Sequence, residues 1–233
     1  MVESMRILAI DASGGAVSAC VTAREAVEPL ARESMTMQRG HAEALAPMIE
    51  RVMRGVEGGF SSIGRIAATV GPGSFTGIRI GLASARAMGV ALGVPVIGVS
   101  SLVAYVGELL LEPGAGVIAS AIDARHGRVY LQVFEASGRP LIPARLATIR
   151  EAARIIGAGP ARLAGDGAHL VRAEAALLGV AAEIVGETVA PDIAIVARLG
   201  LIGDPTQSPP RPFYLKAPDA IQPMDSSIAR AET

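Results

Sequence analysis

The sequence predicts an α/β protein built from two related lobes, and three observations carry this. Apolar runs of strand length alternate with longer runs of helical period. The opening strand–turn–strand recurs in the second half of the chain. Hydrophobic residues make up 51 % of the 233 positions while aromatics make up only 3 % and tryptophan is absent. A sizeable core is therefore expected, built from Ala, Val, Ile, Leu and Met.

The elements follow in chain order. A strand is expected over residues 6–10, then the turn Asp11-Ala12-Ser13-Gly14-Gly15 and a second strand over 16–22, a hairpin by its glycines. A third strand is expected over 31–37. An amphipathic helix is expected from about His41 to Arg54, with Leu45, Met48, Ile49, Val52 and Met53 on one face. Pro47 should kink that helix or mark its real start. The apolar run 66–70 reads as a strand, followed by Gly71-Pro72-Gly73-Ser74-Phe75-Thr76-Gly77 and a helix from Ile78 to Leu92. Residues 87–107 carry no charge, but Gly89, Gly93, Pro95, Gly98 and Gly107 break the stretch. It reads as a buried helix–strand unit of a cytoplasmic protein and not as a membrane span.

The repeat begins at Ala121-Ile122-Asp123-Ala124, which lies over Ala9-Ile10-Asp11-Ala12, with Gly127 over Gly15 and Val129 over Val17. Gly165-Asp166-Gly167 later matches the Gly-x-Gly turn at residue 71. Two matches in the same order point to a duplicated lobe, with the cleft between the copies as the default ligand site. The first lobe is drawn at 1–101, with 190–217 returning to it through a helix at 192–201. The second is drawn at 102–189. Residues 203–212 read as an extended Pro-rich linker, 211–216 as a short strand or docking segment, and 218–233 as a disordered tail.

Composition excludes several functions. Cys20 is the sole cysteine, so neither an intrachain disulfide nor a cysteine metal cluster is available. The formal net charge is −1, which gives no bulk electrostatic case for free-standing nucleic-acid binding. Residues 7–10 are too short for a signal-peptide core.

The glycine-rich loop is the strongest chemical signal. A turn between strand and helix can converge amides on an anion, which makes Gly71, Gly73, Ser74 and Thr76 candidates for phosphate. It is neither a Walker loop nor a dinucleotide fingerprint, and Ser74 is not a nucleophile-elbow serine. Ser74 or Thr76 is expected to cap the helix. Behind the loop, Gly77, Gly81, Ala85, Gly89 and Gly93 recur every four residues and form one ridge of small side chains. Interior glycine costs about 1 kcal/mol relative to alanine, so the ridge requires close approach by a partner: the protein's own elements or another subunit. Asp11 and Asp123 each end a strand, where a carboxylate either binds Mg²⁺, acts as a base, or bonds to turn amides. His41 starts a helix that offers Ala44 and Leu45 where a second metal-binding histidine would stand. His126 and His169 read as surface loop residues.

With these residues in hand, a family resemblance emerges. Residues 7–11, the His41–Pro47 helix start, the Gly71–Gly81 string and Gly98-Val99-Ser100-Ser101-Leu102 together resemble the TsaB-like dimerisation subunit of the bacterial tRNA threonylcarbamoyladenosine machinery. The segments 121–130 and 212–216 are similar to it too. The resemblance implies two actin/Hsp70/sugar-kinase-like (ribonuclease H-like) lobes with mixed sheets flanked by helices. It implies a catalytic TsaD-like paralogue and a TsaE-like ATPase as partners, and tRNA reached only through the complex. The paralogue's His-x-x-x-His metal pair is matched here by His41 but then by Leu45, so no metal site is expected, and no catalytic residue. Subunit contacts are expected at Met48, Val52, Met53, Gly77, Gly81, Ala85 and Gly89, with a homodimer as the alternative when the chain is alone. ATP or ADP is expected, if anywhere, at a composite interface. The rival reading is an ATP-dependent kinase-like phosphotransferase using Asp11 and Asp123; a weaker one is a metalloprotease-like hydrolase.

Overall fold

The computed structural model describes residues 5–112, 114–157, 159–186 and 188–215; the tail drawn at 218–233, and Lys216, lie outside the described residues. Among the described residues, ten strands form two five-stranded sheets flanked by six α-helices. The first sheet contains β1 (Arg6–Asp11), β2 (Ala16–Ala23), β3 (Ala31–Thr36), β4 (Ile63–Gly71) and β5 (Val96–Ser100) in the order β3-β2-β1-β4-β5. The second contains β6 (Val117–Arg125), β7 (Arg128–Glu135), β8 (Pro140–Thr148), β9 (Ala161–Ala164) and β10 (Ala182–Gly186) in the order β8-β7-β6-β9-β10. The two orders are the same, position for position. In each, the first three strands form antiparallel hairpins and the last two add in parallel. The sequence repeat is thus a repeat of topology.

The continuous apolar run at 7–10 has a physical cause: the first sheet is covered on both faces. Alternate side chains of β1 point to opposite sides. Leu8 and Ile10 join Met48, Val52, Ile78 and Leu82 from α1 (His41–Arg54) and α2 (Phe75–Leu92). Ile7 and Ala9 join Val196, Ala197 and Leu201 from α6 (Ile193–Ile202) on the other side. Asp192 caps α6 by accepting from the Ala194 amide at 2.7 Å. The second sheet packs Ala119, Leu131 and Leu163 against α4 (Ile149–Ile155) and α5 (Ala168–Leu177). Its other face lays Ile118 and Phe134 against Val106 of α3 (Ser101–Val106).

Several local expectations change. α1 begins at His41 and carries Pro47 in its interior, so Pro47 does not mark its start. Leu45 on one side of it and Met48 on the other are both anchored in the core, which offsets the lost backbone bond. β3 stops at Thr36, one residue short. His169 lies in the first turn of α5 and not in a loop. Residues 211–215 form no strand; with residues 208–210 they run as a strap across the first lobe. Phe213 N–H donates to Val70 O at 2.8 Å, Gly98 N–H donates to Ser208 O at 2.9 Å, and Arg86 Nε donates to Pro210 O at 2.9 Å. The strap covers the outer edge of β5, which would otherwise expose a row of unpaired backbone groups.

The ridge on α2 also resolves. Gly77, Gly81, Ala85 and Gly89 are buried, and they face the protein's own first lobe. A Cβ on Gly77 would overlap the Ala12 carbonyl oxygen, one on Gly81 would lie 3.9 Å from the Ala12 Cβ, and one on Gly89 would overlap the Val96 side chain. Met48, Val52 and Met53 are buried in the same core. The seven residues expected at a subunit contact are therefore interior. The faces of α1 and α2 left outside carry Ala42, Ala46, Pro47, Ala83, Ala87 and Val90, with Glu43, Glu50, Arg51, Arg54, Arg79 and Arg86 exposed beside them.

Candidate functional site

The turn after β1, the glycine loop before α2, the β6–β7 hairpin and the strap enclose a cleft of about 720 Å³ between the two sheets. That volume is in the range of small-molecule sites. His41 reaches the cleft, with Nε2 3.3 Å from Gly14 O.

The glycine loop forms one wall, and its geometry explains its glycines. Gly71 has φ 102°, a left-handed conformation that favours glycine. A Cβ on Gly73 would overlap Ser13 O. The loop's amides are turned inward: Ser74 N–H donates to Ser13 O at 2.8 Å, and Gly77 N–H donates to Ser74 Oγ at 3.2 Å. Ser74, not Thr76, is the helix cap. The Ser74 amide is spent on closing the loop against Ser13 and the Gly77 amide on the loop's own Ser74 cap, which removes these two donors from any phosphate. The second lobe repeats the device. Gly165 has φ 105°, and a Cβ on Gly167 would stand 2.9 Å from Asp123 N.

The two strand-end aspartates have different surroundings. Asp11 is fully buried. Its Oδ1 accepts from Ser13 N at 3.0 Å, from Ser13 Oγ at 2.6 Å, and from Thr69 Oγ1. Ser13 Oγ also pairs with Ser101 Oγ at 3.1 Å, tying the turn to the start of α3. Burial pushes the Asp11 carboxyl above its ordinary 3.8, against the opposing pull of those hydrogen bonds. Of its three sequence readings, the structure fits the turn carboxylate; it does not line the cleft. Asp123 does line it, but Oδ1 accepts from Arg125 N at 2.8 Å and Oδ2 pairs with Arg125 Nη1 at 3.2 Å. The kinase-like arrangement, with both aspartates facing a shared ligand, is not formed.

Sequence reasoning missed three contributors to the cleft. Asp166, in the turn after β9, accepts from Asp123 N at 2.9 Å, and burial raises its pKa. Tyr105 on α3 lines the floor; burial first and the charges of Asp166 and Asp11 second push its hydroxyl pKa up. The strap brings Tyr214, whose ring lies 5.1 Å from that of Phe75. Arg79 locks this corner, with its guanidinium 3.7 Å over the Phe75 ring and its Nε donating to Tyr214 OH at 3.1 Å. Among the described residues, no group of three His, Cys, Asp or Glu side chains could hold a metal ion. None of the helices among them is long and apolar enough to cross a membrane. Cys20 is buried and its thiol is pushed up to about 12 by burial, which makes it unreactive.

Arg79→Ala removes the hydrogen bond to Tyr214 and uncovers the Phe75 ring on which Tyr214 packs. The expected result is several-fold faster chymotryptic cleavage beside Phe213 and Tyr214 in the native protein, read by mass spectrometry. Unchanged cleavage would show that the backbone bonds hold the strap alone.

Two five-stranded mixed sheets of identical order, flanked by helices and meeting at a cleft, define a two-lobed protein of the actin/Hsp70/sugar-kinase-like class. The profile of the family described as TsaD, tRNA N6-adenosine threonylcarbamoyltransferase, matches residues 34–197, and the chain belongs to that family. Its relatives make it TsaB-like. It is 35 % identical over 126 residues to the tRNA threonylcarbamoyladenosine biosynthesis protein TsaB of Escherichia coli, covering 54 % of this chain and 53 % of that one. It is 33 % identical over 220 residues to an uncharacterized protein of Mycobacterium tuberculosis, covering 94 % and 95 %. Among solved structures, YeaZ from Pseudomonas aeruginosa superposes with a TM-score of 0.72 at 25 % identity, covering 91 % of this chain and all of that one.

Proposed function

We propose that this chain is a non-catalytic dimerisation subunit in the biosynthesis of tRNA N6-threonylcarbamoyladenosine, and that it binds a catalytic TsaD-like paralogue. The observation that carries the proposal is at α1. His41 faces the cleft, but one turn later the helix presents Leu45, which is packed in the core with Met48 and Ile49. The helix offers one imidazole where the paralogue's metal pair needs two. The kinship with TsaB proteins supports the same reading, as does the engagement of the Ser74 and Gly77 amides within the protein. A TsaE-like ATPase joins the assembly, and ATP or ADP belongs to a composite interface and not to the isolated chain.

The exposed faces of α1 and α2 are the proposed contact. Small side chains at Ala42, Ala46, Ala83 and Ala87 permit a close helix–helix approach, and Val90 is 85 % exposed on the same side as Ala83 and Ala87. Val90 differs from other exposed apolar residues such as Leu177 in continuing a face of small side chains, so that it adds to one apolar surface. Val90→Glu is expected to abolish co-purification with the co-expressed paralogue and to remove the modification activity of the mixture, with the thermal melt unchanged. Leu177→Glu, on an 81 % exposed residue of the second lobe, is expected to leave both intact. Retained co-purification in the Val90 variant would place the contact elsewhere.

A further inference from the structure

The chain has four phenylalanines and three tyrosines, and they are not scattered. Phe75, Tyr105, Tyr130, Phe213 and Tyr214 line the inter-lobe cleft, leaving only Phe60 and Phe134 elsewhere. Every tyrosine of the protein is in that wall. A core built almost wholly of aliphatic side chains has no packing need for aromatics at one solvent-filled boundary. Flat, amphipathic faces around a cavity of this size suit a flat ligand.

Charge sets the orientation of that ligand. Asp123 and Asp166 line the cleft and would repel a phosphate placed inside it. The glycine loop's Ser74 and Gly77 amides are already spent. Arginines stand instead at the mouth, beside a histidine. Arg125 lines the cleft with its side chain 81 % exposed, and His126 and Arg128 follow it, exposed, around the hairpin tip. Arg125 and His126 hold φ of 63° and 56°, where glycine or asparagine would be easier. The strain is tolerated at side chains that project from the tip. An aromatic cavity with acceptors inside and cations at its lip is the arrangement that stacks a base and leaves its phosphates outside.

We propose that the cleft receives an unpaired base of a single-stranded RNA segment. The base stacks among Phe75, Tyr105 and Tyr214, and its amino group faces the Asp166 carboxylate and the Asp123 oxygen that is freed as the Arg125 guanidinium leaves its ion pair; Arg125 and Arg128 meet the flanking phosphates. The choice of RNA rests on the reading that the chain works in tRNA modification. The site itself requires neither a triphosphate nor Mg²⁺.

Because the chain lacks tryptophan, tyrosine emission reports this cleft alone. The 233-residue chain is titrated with a short oligoadenylate RNA, with adenosine, and with Mg-ATP. The RNA is expected to change the emission saturably and with a strong salt dependence. Adenosine, lacking the flanking phosphates, is expected to bind on the order of tenfold more weakly. Arg125→Gly should weaken RNA binding and lower the salt slope by about 0.7, while relaxing the backbone so that folding is not at risk. Tyr214→Leu should weaken it on the order of tenfold, and Tyr214→Phe should restore it. The proposal is overturned by an absence of saturable change, by Mg-ATP binding more tightly than the RNA, or by wild-type binding in folded Arg125→Gly and Tyr214→Leu. Arg125 lies on the second lobe, away from Val90, so Arg125→Gly should still co-purify with the paralogue. Loss of RNA binding and loss of the subunit contact are therefore separable.

Discussion

Gly77→Ala is expected to lower stability by about 3 kcal/mol, and Gly81→Ala, one turn further on, to raise it by up to about 1 kcal/mol. The two glycines belong to one ridge and look equivalent in sequence. In the structure a methyl on Gly77 would overlap the Ala12 carbonyl oxygen, which belongs to the turn backbone and cannot rotate away. Relief would require α2 to lift from β1, opening the contacts of Ile78 and Leu82 with the core. A methyl on Gly81 would meet the Ala12 Cβ at 3.9 Å, an ordinary contact, and would gain the helix propensity of alanine. For a chain of this length, each kcal/mol moves the midpoint by roughly 2–4 °C. Gly77→Ala should therefore melt about 10 °C below wild type and Gly81→Ala slightly above it, by circular dichroism. Similar melts for the two would mean that α2 is not seated on the Ala12 turn.

The same contrast shows what the sequence made legible. The four-residue spacing announced a close-packing helix, and it is one. Which of two partners it packed against was not encoded in the spacing, because an interior sheet and a foreign helix place the same demand on small side chains. Met48, Val52 and Met53 were subject to the same ambiguity: apolar periodicity marks a buried face without saying what buries it. The duplicated lobe was legible because Ala-Ile-Asp-Ala and the Gly-x-Gly turn are local strings whose geometry is local. The cleft was not, since Tyr105, Asp166 and Tyr214 are brought together by three separate elements: α3, the turn after β9 and the strap. No short window contains them. The one available signal was the clustering of a very small aromatic set, which only a fold can reveal.

Asp11→Ala is expected to cost about 3 kcal/mol or more, and Asp11→Asn much less. The carboxyl has no exposure, and one of its oxygens accepts all the bonds the structure gives it, from Ser13 N, Ser13 Oγ and Thr69 Oγ1. Alanine strands those donors in a buried site and leaves a void; asparagine keeps an acceptor oxygen in place. The other oxygen, Oδ2, has no partner among the described residues, so the ionised form is poorly compensated there. This fixes the sign of the pH dependence. Burial raises the folded-state pKa of Asp11 above the ordinary 3.8. Between the two values the folded protein holds more protons than the unfolded chain, so this group's contribution to stability falls as pH rises through that window. Other carboxylates act in the opposite direction: Glu33 beside Arg51 and Glu135 beside Arg139 are held below their ordinary values by hydrogen bonds to those guanidinium groups. The Asp11 share is isolated by difference. Urea denaturation of wild type and Asp11→Asn across pH 3 to 8 should give a gap that moves in favour of the asparagine variant as pH rises above about 4. A gap constant with pH would show that the hydrogen bonds from Ser13 and Thr69 fully offset the burial of the Asp11 carboxyl.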